Sequence, residues 1–226
     1  MHDITPLMTN LNALAGGLFI IATFGIVATR QIKATLKFFI FQSIFLVTSA
    51  LLLGLKPFSM DLIAVGFINL IIKVFFIPWL LKHMVKEEIY TKREITQVFN
   101  IPTSLIIALA LTIMAYFFSL PWVETQDILS KVRINVPVGL AGLLLGAYTI
   151  IARREAVPQL LGLLAMENGA FFAGVAIAPN LPLIAELALA FDILILTFIV
   201  GILTRNVHEQ MGTTLVGTLS ELKEEV

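Results

Sequence analysis

Cysteine is absent from this chain, and charged residues are scarce. Without cysteine the chain can form neither a disulfide nor a thiolate metal site. Asp, Glu, Lys and Arg make up 13% of its 226 residues, whereas a soluble domain carries roughly 25%. Hydrophobic residues reach 58%, and the mean hydropathy is +0.96. So few charges could not cover this much apolar surface in water, which indicates an integral membrane protein.

Motifs for nucleotide and metal chemistry are missing too. The sequence has no GxxxxGK(S/T) loop and no GxGxxG turn. His2, His83 and His208 lie in polar termini or at a helix end, with no spacing typical of metal or haem ligands. The formal net charge is zero, so nothing favours nucleic acid as a partner. We expect no metal, no cofactor and no active site on this chain.

Seven apolar segments are long enough to cross a membrane, which takes about 20 mostly apolar residues. Barrel strands would instead alternate over about 10 residues. We therefore predict an all-α fold, a polytopic transmembrane bundle of about seven helices. Pro121 should end the fourth helix, because proline cannot continue one. The predicted spans are Leu11–Thr29, Ala34–Leu55, Met60–Leu81, Ile101–Leu120, Ile134–Ala152, Ala156–Ala178 and Leu181–Leu203.

Basic residues are distributed unevenly between the two membrane faces. With the N-terminus outside, the inner segments hold eleven of them and the outer segments three. The positive-inside rule then predicts an N-out, C-in orientation in the cell inner (plasma) membrane. The inner set is Arg30, Lys33, Lys37, Lys82, Lys86, Lys92, Arg93, Arg153, Arg154, Arg205 and Lys223, and the outer set is Lys56, Lys131 and Arg133.

Four ionisable residues lie inside the predicted spans: Lys73, Glu167, Glu186 and Asp192. Each costs about 2.5–3.5 kcal/mol to insert at the bilayer centre. At 1.5 Å per residue, Glu167 and Asp192 lie about 18 Å from the inner ends of adjacent helices, Lys73 about 13–14 Å from that face, and Glu186 nearer the outer face. Burial brings the charged and neutral forms of such groups closer in free energy, which favours proton exchange. The alternative is a static ion pair that pins the bundle.

The predicted organisation has one membrane domain and a tail. Residues 1–205 form the bundle, with three-helix units at 1–82 and 134–205 joined by the connecting helix 101–120, and residues 206–226 form a cytoplasmic tail. The two units would be parallel repeats in which Gln42 aligns near Glu167 and Asn69 near Asp192. The charged loop His83–Asn100 is either a solvated flank or a docking surface for a cytoplasmic partner.

Several stretches of the chain resemble the hydrogenase-4 component E family of membrane subunits. The similar stretches include the membrane-embedded Met-Glu-Asn-Gly and Phe-Asp elements and extend into the tail. They are Ile71–Val74 with Pro78, Arg153–Glu155, Gly162–Leu163, Met166–Gly169, Glu186–Asp192, Leu203–Arg205, Gly212–Leu215 and Leu219–Lys223.

The resemblance implies a subunit of an energy-converting NiFe hydrogenase or formate hydrogenlyase type complex. It also extends, over the C-terminal half, to the K subunit of respiratory complex I and the C subunit of multisubunit sodium/proton antiporters. In the K subunit, two glutamates on consecutive helices carry a hydrophilic axis. Leu163 takes the place of the first here, with Glu167 one turn further on, and Asp192 takes the place of the second.

We therefore expect a non-catalytic, proton- or sodium-translocating membrane subunit beside antiporter-like subunits. Glu167 and Asp192 would relay protons, Lys73 would be a relay or switching partner, and Glu186 an outer relay. The NiFe centre and iron–sulfur clusters would lie on partner subunits of a hydrophilic redox arm. The alternatives are an antiporter subunit without a redox partner, and a structural membrane scaffold.

Overall fold

A computed structural model describes residues 6–55, 59–84, 98–125, 134–177, 195–200 and 202 of the chain. The α-helices within these ranges are α1 (Pro6–Ala28), α2 (Ile32–Leu55), α3 (Met60–Asn69), α4 (Ile77–Met84), α5 (Ile101–Thr125), α6 (Asn135–Ala152) and α7 (Ala156–Ile177). A π-helical segment, Leu70–Phe76, joins α3 to α4 without a break. Residues 195–200 are also helical.

The helices within these ranges give six spans long and apolar enough to cross a membrane. This confirms the predicted all-α polytopic bundle. The six spans correspond to the first six predicted ones, with ends that differ by a few residues. Most of the seventh predicted span, Leu181–Leu203, lies outside the described residues. The domain boundaries and the internal repeat stay predictions.

Two helices, α3 and α5, begin after a side chain that accepts a backbone hydrogen bond. Ser59 caps α3, with its Oγ accepting from the Leu62 amide at 3.4 Å. Asn100 does the same for α5, because its Oδ1 accepts from the Thr103 amide at 3.0 Å. These caps satisfy amides that have no partner within the first turn.

Pro121 does not end its helix, contrary to our prediction. Helix α5 continues through Pro121 to Thr125. A proline inside a helix removes one backbone hydrogen bond and disfavours continuation. Pro121 is exposed, and a helix can continue past a proline at the cost of that one hydrogen bond. The apolar span itself ends at Pro121, as predicted.

The π-helical segment ends at Phe76, two residues before Pro78. The amide of Ile77, which follows the segment, donates to the carbonyl of Ile72, five residues back. Pro78 has no amide hydrogen and its ring crowds the carbonyl of Val74, four residues back. A wider turn relieves that crowding, so the proline explains why the helix changes pitch here. Lys73 lies in the middle of this segment.

Helices α6 and α7 pack more closely than any other pair, because glycines line their contact. A methyl group on Gly139 would fall onto the backbone nitrogen of Ala173, and one on Gly146 onto that of Met166. A methyl group on Gly169 would meet the backbone of Leu143. Small residues at such positions let two membrane helices approach backbone to backbone. Gly139, Gly146 and Gly169 therefore serve the contact between α6 and α7.

Candidate functional site

Lys73 lies in the interior of the bundle with 1% of its surface exposed. Its ammonium Nζ donates to Glu167 Oε1 at 2.9 Å and to Asn168 Oδ1 at 2.9 Å. The lysine comes from the π-helical segment, and both acceptors come from α7. The positive charge is therefore held by one carboxylate and one neutral amide.

Glu167 is less enclosed than its partner. Its side chain is 16% exposed. One oxygen accepts from Lys73, while the other, Oε2, is buried and forms no hydrogen bond with the described residues. Oε2 can therefore accept a proton or a hydrogen bond from a further donor.

The charged pair lies at the middle of its helices. Glu167 is eleven residues past Ala156 and ten before Ile177, the two ends of α7. At 1.5 Å per residue each half of the helix is about 15–17 Å long. Lys73 is in the central part of the continuous span Met60–His83. The pair therefore lies near the centre of a hydrocarbon layer of roughly 30 Å.

A hydrogen-bonded network extends from the pair to two further helices. Asn168 Nδ2 donates to Gln42 Oε1 at 3.2 Å and to Ser43 Oγ at 3.0 Å on α2. Gln42 Nε2 in turn donates to Thr23 Oγ1 at 2.8 Å on α1. The side chains of Gln42, Ser43 and Asn168 are all 0% exposed. We call Lys73, Glu167, Asn168, Gln42, Ser43 and Thr23 the charged cluster.

A second buried network lies toward the end of the bundle where α1 begins. Ser49 Oγ donates to Asn12 Oδ1 at 2.6 Å, and Asn12 Nδ2 donates to Asn135 Oδ1 at 2.7 Å. Asn135 Nδ2 donates back to Ser49 Oγ at 3.2 Å. All three side chains are at most 2% exposed. We call Asn12, Ser49 and Asn135 the amide cluster.

At the opposite end, Arg153 joins α6 to the end of α1. Its Nη2 lies 3.0, 2.9 and 2.7 Å from the carbonyl oxygens of Ile26, Val27 and Thr29, to which it donates. Ile26 and Val27 belong to the last turn of α1, which stops at Ala28 before amides four residues further on can reach their carbonyls within the helix. Burial lowers the pKa of Arg153 to about 10. The guanidinium therefore remains charged at neutral pH and lies at the negative end of the helix dipole.

The structure brings together two of the four predicted relay residues, Lys73 and Glu167, in direct contact. Asp192 and Glu186 lie outside the described residues. Among the polar residues noted from sequence, Gln42 and Asn168 belong to the charged cluster. Asn69 is also buried, and its Nδ2 donates to the Val65 carbonyl within its own helix at 3.0 Å.

Sequence reasoning missed the amide cluster and the buried role of Arg153. Asparagine and serine inside otherwise apolar spans are a sequence signal for buried polar contacts. Nothing in the sequence, however, pairs Asn12 with Asn135, which is 123 positions away. The charge count places Arg153 in the inner basic set without indicating burial, yet it is only 2% exposed. Within the described ranges, no three His, Asp or Glu side chains come together as in a metal site.

Comparison with known proteins gives relatives along nearly the whole chain. The uncharacterized protein Rv0085 of Mycobacterium tuberculosis is 32% identical over 211 residues, which cover 93% of this chain and 94% of that protein. Hydrogenase-4 component E of Escherichia coli K12 is 24% identical over 221 residues, which cover 94% of this chain and 97% of that protein. The protein of that name in Shigella flexneri matches to the same extent. No protein-family model and no solved structure matches significantly.

Proposed function

The chain belongs to the family of the uncharacterized mycobacterial protein Rv0085, and we propose that it is a non-catalytic, ion-translocating membrane subunit of a hydrogenase-type redox complex. Distant similarity over the full length to hydrogenase-4 component E supports membership of a multisubunit membrane complex. The multi-pass helical bundle supports the same assignment. The proposed ion is a proton or sodium.

One observation carries the proposal: an ion pair buried at mid-membrane depth, Lys73 with Glu167. Inserting either charge alone costs about 2.5–3.5 kcal/mol or more. A bundle that needed only rigidity could use apolar residues of similar volume, since a buried ion pair is often no more stabilising than apolar packing. Ionisable groups in a membrane interior most often belong to an ion path.

The geometry supports a charge-coupled relay. With Lys73 protonated and Glu167 ionised, the pair has no net charge. A proton that reaches Glu167 neutralises the carboxylate and leaves the lysine charge without its partner, which favours expulsion of a proton from the site. Asn168 holds the ammonium on its other side, and Gln42 and Ser43 hold Asn168. These neutral groups position the pair, while Glu167 and Lys73 exchange the proton.

Further roles in this proposal fall on residues outside the described ranges and on partner subunits. Asp192 would be the next relay carboxylate and Glu186 an outer relay. The three-helix units 1–82 and 134–205 would form the membrane domain, and the tail 206–226 would lie in the cytoplasm. Antiporter-like subunits would adjoin this chain in the plasma membrane. The NiFe centre and iron–sulfur clusters would reside on partners in the redox arm.

The test uses the affinity-tagged full chain, purified with whatever it binds and reconstituted into vesicles. Hydrogen-dependent reduction of a viologen dye measures electron transfer, and a fluorescent pH indicator measures proton translocation. We expect the double variant Lys73→Met with Glu167→Gln to assemble normally, because no unpaired charge stays buried. Its proton translocation per electron should fall roughly tenfold or more, because neither replacement exchanges protons.

The control is Asp61→Asn, which removes an exposed carboxylate at the start of α3 and should leave translocation unchanged. Glu167→Gln alone should assemble poorly, since it leaves Lys73 charged and unpaired. Full translocation per electron in the double variant would show that the pair is inert and that the chain is a scaffold. Cation–proton exchange without any hydrogen-dependent electron transfer would favour the antiporter alternative.

A further inference from the structure

The two buried polar clusters lie one above the other on the same helices. Helix α2 carries Ser43 in the charged cluster and Ser49 in the amide cluster, six residues or about 9 Å apart. Helix α1 contributes Thr23 to the first and Asn12 to the second. Asn135, the first residue of α6, places the amide cluster close to the bundle end where α1 begins.

An apolar layer separates the two clusters. Phe19 lies between Asn12 and Thr23 on α1, and Phe172 lies one turn past Asn168 on α7. Their rings are in contact, with centroids 4.7 Å apart and planes tilted by 38°. Phe19 and Phe172 are 0% and 1% exposed. Leu46 of α2 belongs to the same buried cluster and lies between Ser43 and Ser49.

Glycine creates the space that the rings fill. A methyl group on Gly142 of α6 would lie 2.6 Å from Cε1 of Phe19, so the ring packs directly on that backbone. A methyl group on Gly16 would be 3.7 Å from Cζ of Phe172, which is an ordinary contact distance, so Gly16 lies beside that ring without being required by it. The four α-helices that carry polar-cluster residues, apart from the π-helical segment with Lys73, therefore contribute to the same layer: Phe19 from α1, Leu46 from α2, Gly142 from α6 and Phe172 from α7.

We propose that the amide cluster is the outer station of the ion path and that the Phe19–Phe172 ring pair is the barrier between it and the charged cluster. This inference rests on the proposed function. Amide and hydroxyl groups stabilise water in a membrane interior, whereas cavities with apolar walls stay dry. Hydrophobic constrictions of this kind gate ion paths by excluding water. The barrier would prevent passive leak when the charged cluster is not exchanging protons.

The absence of cysteine permits a direct test. Ser49→Cys and Ser43→Cys are nearly isosteric probes on the two sides of the ring pair. The full-length chain in sealed vesicles is exposed to Ag⁺ at the face where α1 begins, and the remaining thiols are counted with a fluorescent maleimide after denaturation. We expect Ag⁺ to react with Ser49→Cys at least about tenfold faster than with Ser43→Cys.

Truncation of the ring pair should remove this difference. In a Phe172→Ala or Phe19→Ala background, both thiols should react within about twofold of each other, because water enters the space of the lost ring. Phe171→Ala is the matched control, because Phe171 is buried in the same cluster but is not part of the ring pair. It should preserve the tenfold difference. Elution of each variant as a single peak confirms that it has folded.

Equal reaction rates in the parent chain, or an unreactive Ser49→Cys, would overturn the barrier. So would a difference that survives both ring truncations, or one that Phe171→Ala also abolishes. The thiol readout needs no redox activity. Equal thiol rates together with lost translocation in the charge-neutral double variant would therefore overturn the barrier alone. Unequal rates with full translocation would instead overturn the proposed function.

Discussion

Two buried cations of this chain have different kinds of partner. Lys73 faces a carboxylate and an amide oxygen, whereas Arg153 faces three backbone carbonyls at the end of α1. A carboxylate can take up a proton and change the charge balance, but a carbonyl cannot. The hydrogen bonds of Arg153 therefore join α6 to the end of α1, whereas those of Lys73 join the π-helical segment to an ionisable group of α7.

At this residue scale we expect Arg153→Met to destabilise the bundle by about 3 kcal/mol, because three charge-assisted hydrogen bonds are lost and the carbonyls stay buried. The melting temperature of the detergent-solubilised chain, followed by intrinsic fluorescence, measures this. Arg153→Lys should recover part of the loss, since lysine keeps the charge without the planar fork. Arg154→Met is the control, because Arg154 is exposed. Equal melting temperatures for the Arg153→Met and Arg154→Met variants would contradict the role of Arg153.

At the scale of secondary-structure elements, the π-helical segment determines which way Lys73 points. A π-helical turn accommodates about one residue more than an α-helical turn, and one residue corresponds to about 100° of rotation. The segment ends beside Pro78, so a local backbone constraint places the charged group on the face that meets α7. Such π-helical turns are frequent at functional sites.

Pro78→Ala restores an amide hydrogen that can bond to the Val74 carbonyl and should convert the segment toward α-helix. We expect a chain that is at least as stable as the parent but translocates fewer protons per electron, because Lys73 turns away from Glu167. Melting temperature and translocation are measured on the same preparation. The matched control is Pro121→Ala, which removes the proline inside α5 and should leave translocation unchanged. Unaltered translocation in Pro78→Ala would show that the π-helical segment is not needed.

At the scale of the whole molecule, the charged cluster and the amide cluster lie on four helices, α1, α2, α6 and α7, together with the π-helical segment. Helix α5 packs at the side of this group and presents a broad apolar surface that includes Ile106, Phe117 and Phe118. The exposed basic residues Arg30 and Arg154 lie at the end of the bundle opposite the amide cluster. This distribution fits an orientation in which the start of α1 lies outside the cell.

Orientation is testable with single cysteines in the cysteine-free chain. Glu221→Cys should be protected from an impermeant maleimide applied to intact cells, because the positive-inside rule places the tail in the cytoplasm. Asp61→Cys, at the exposed start of α3, should be labelled under the same conditions. Labelling should become equal after the cells are permeabilised. Labelling of the Glu221→Cys chain in intact cells would reverse the proposed topology.

The sequence alone determined the class of the protein, six of its spans and the burial of Lys73 and Glu167. These properties depend on the length and apolarity of single segments, which are local. Only the tertiary structure decided that Lys73 meets Glu167, that Asn12 meets Asn135, and that Arg153 binds the end of α1. These contacts depend on the rotation of each helix about its axis. Spans that are apolar on all sides carry little sequence signal for that rotation, and the π-helical turn before Pro78 changes it further.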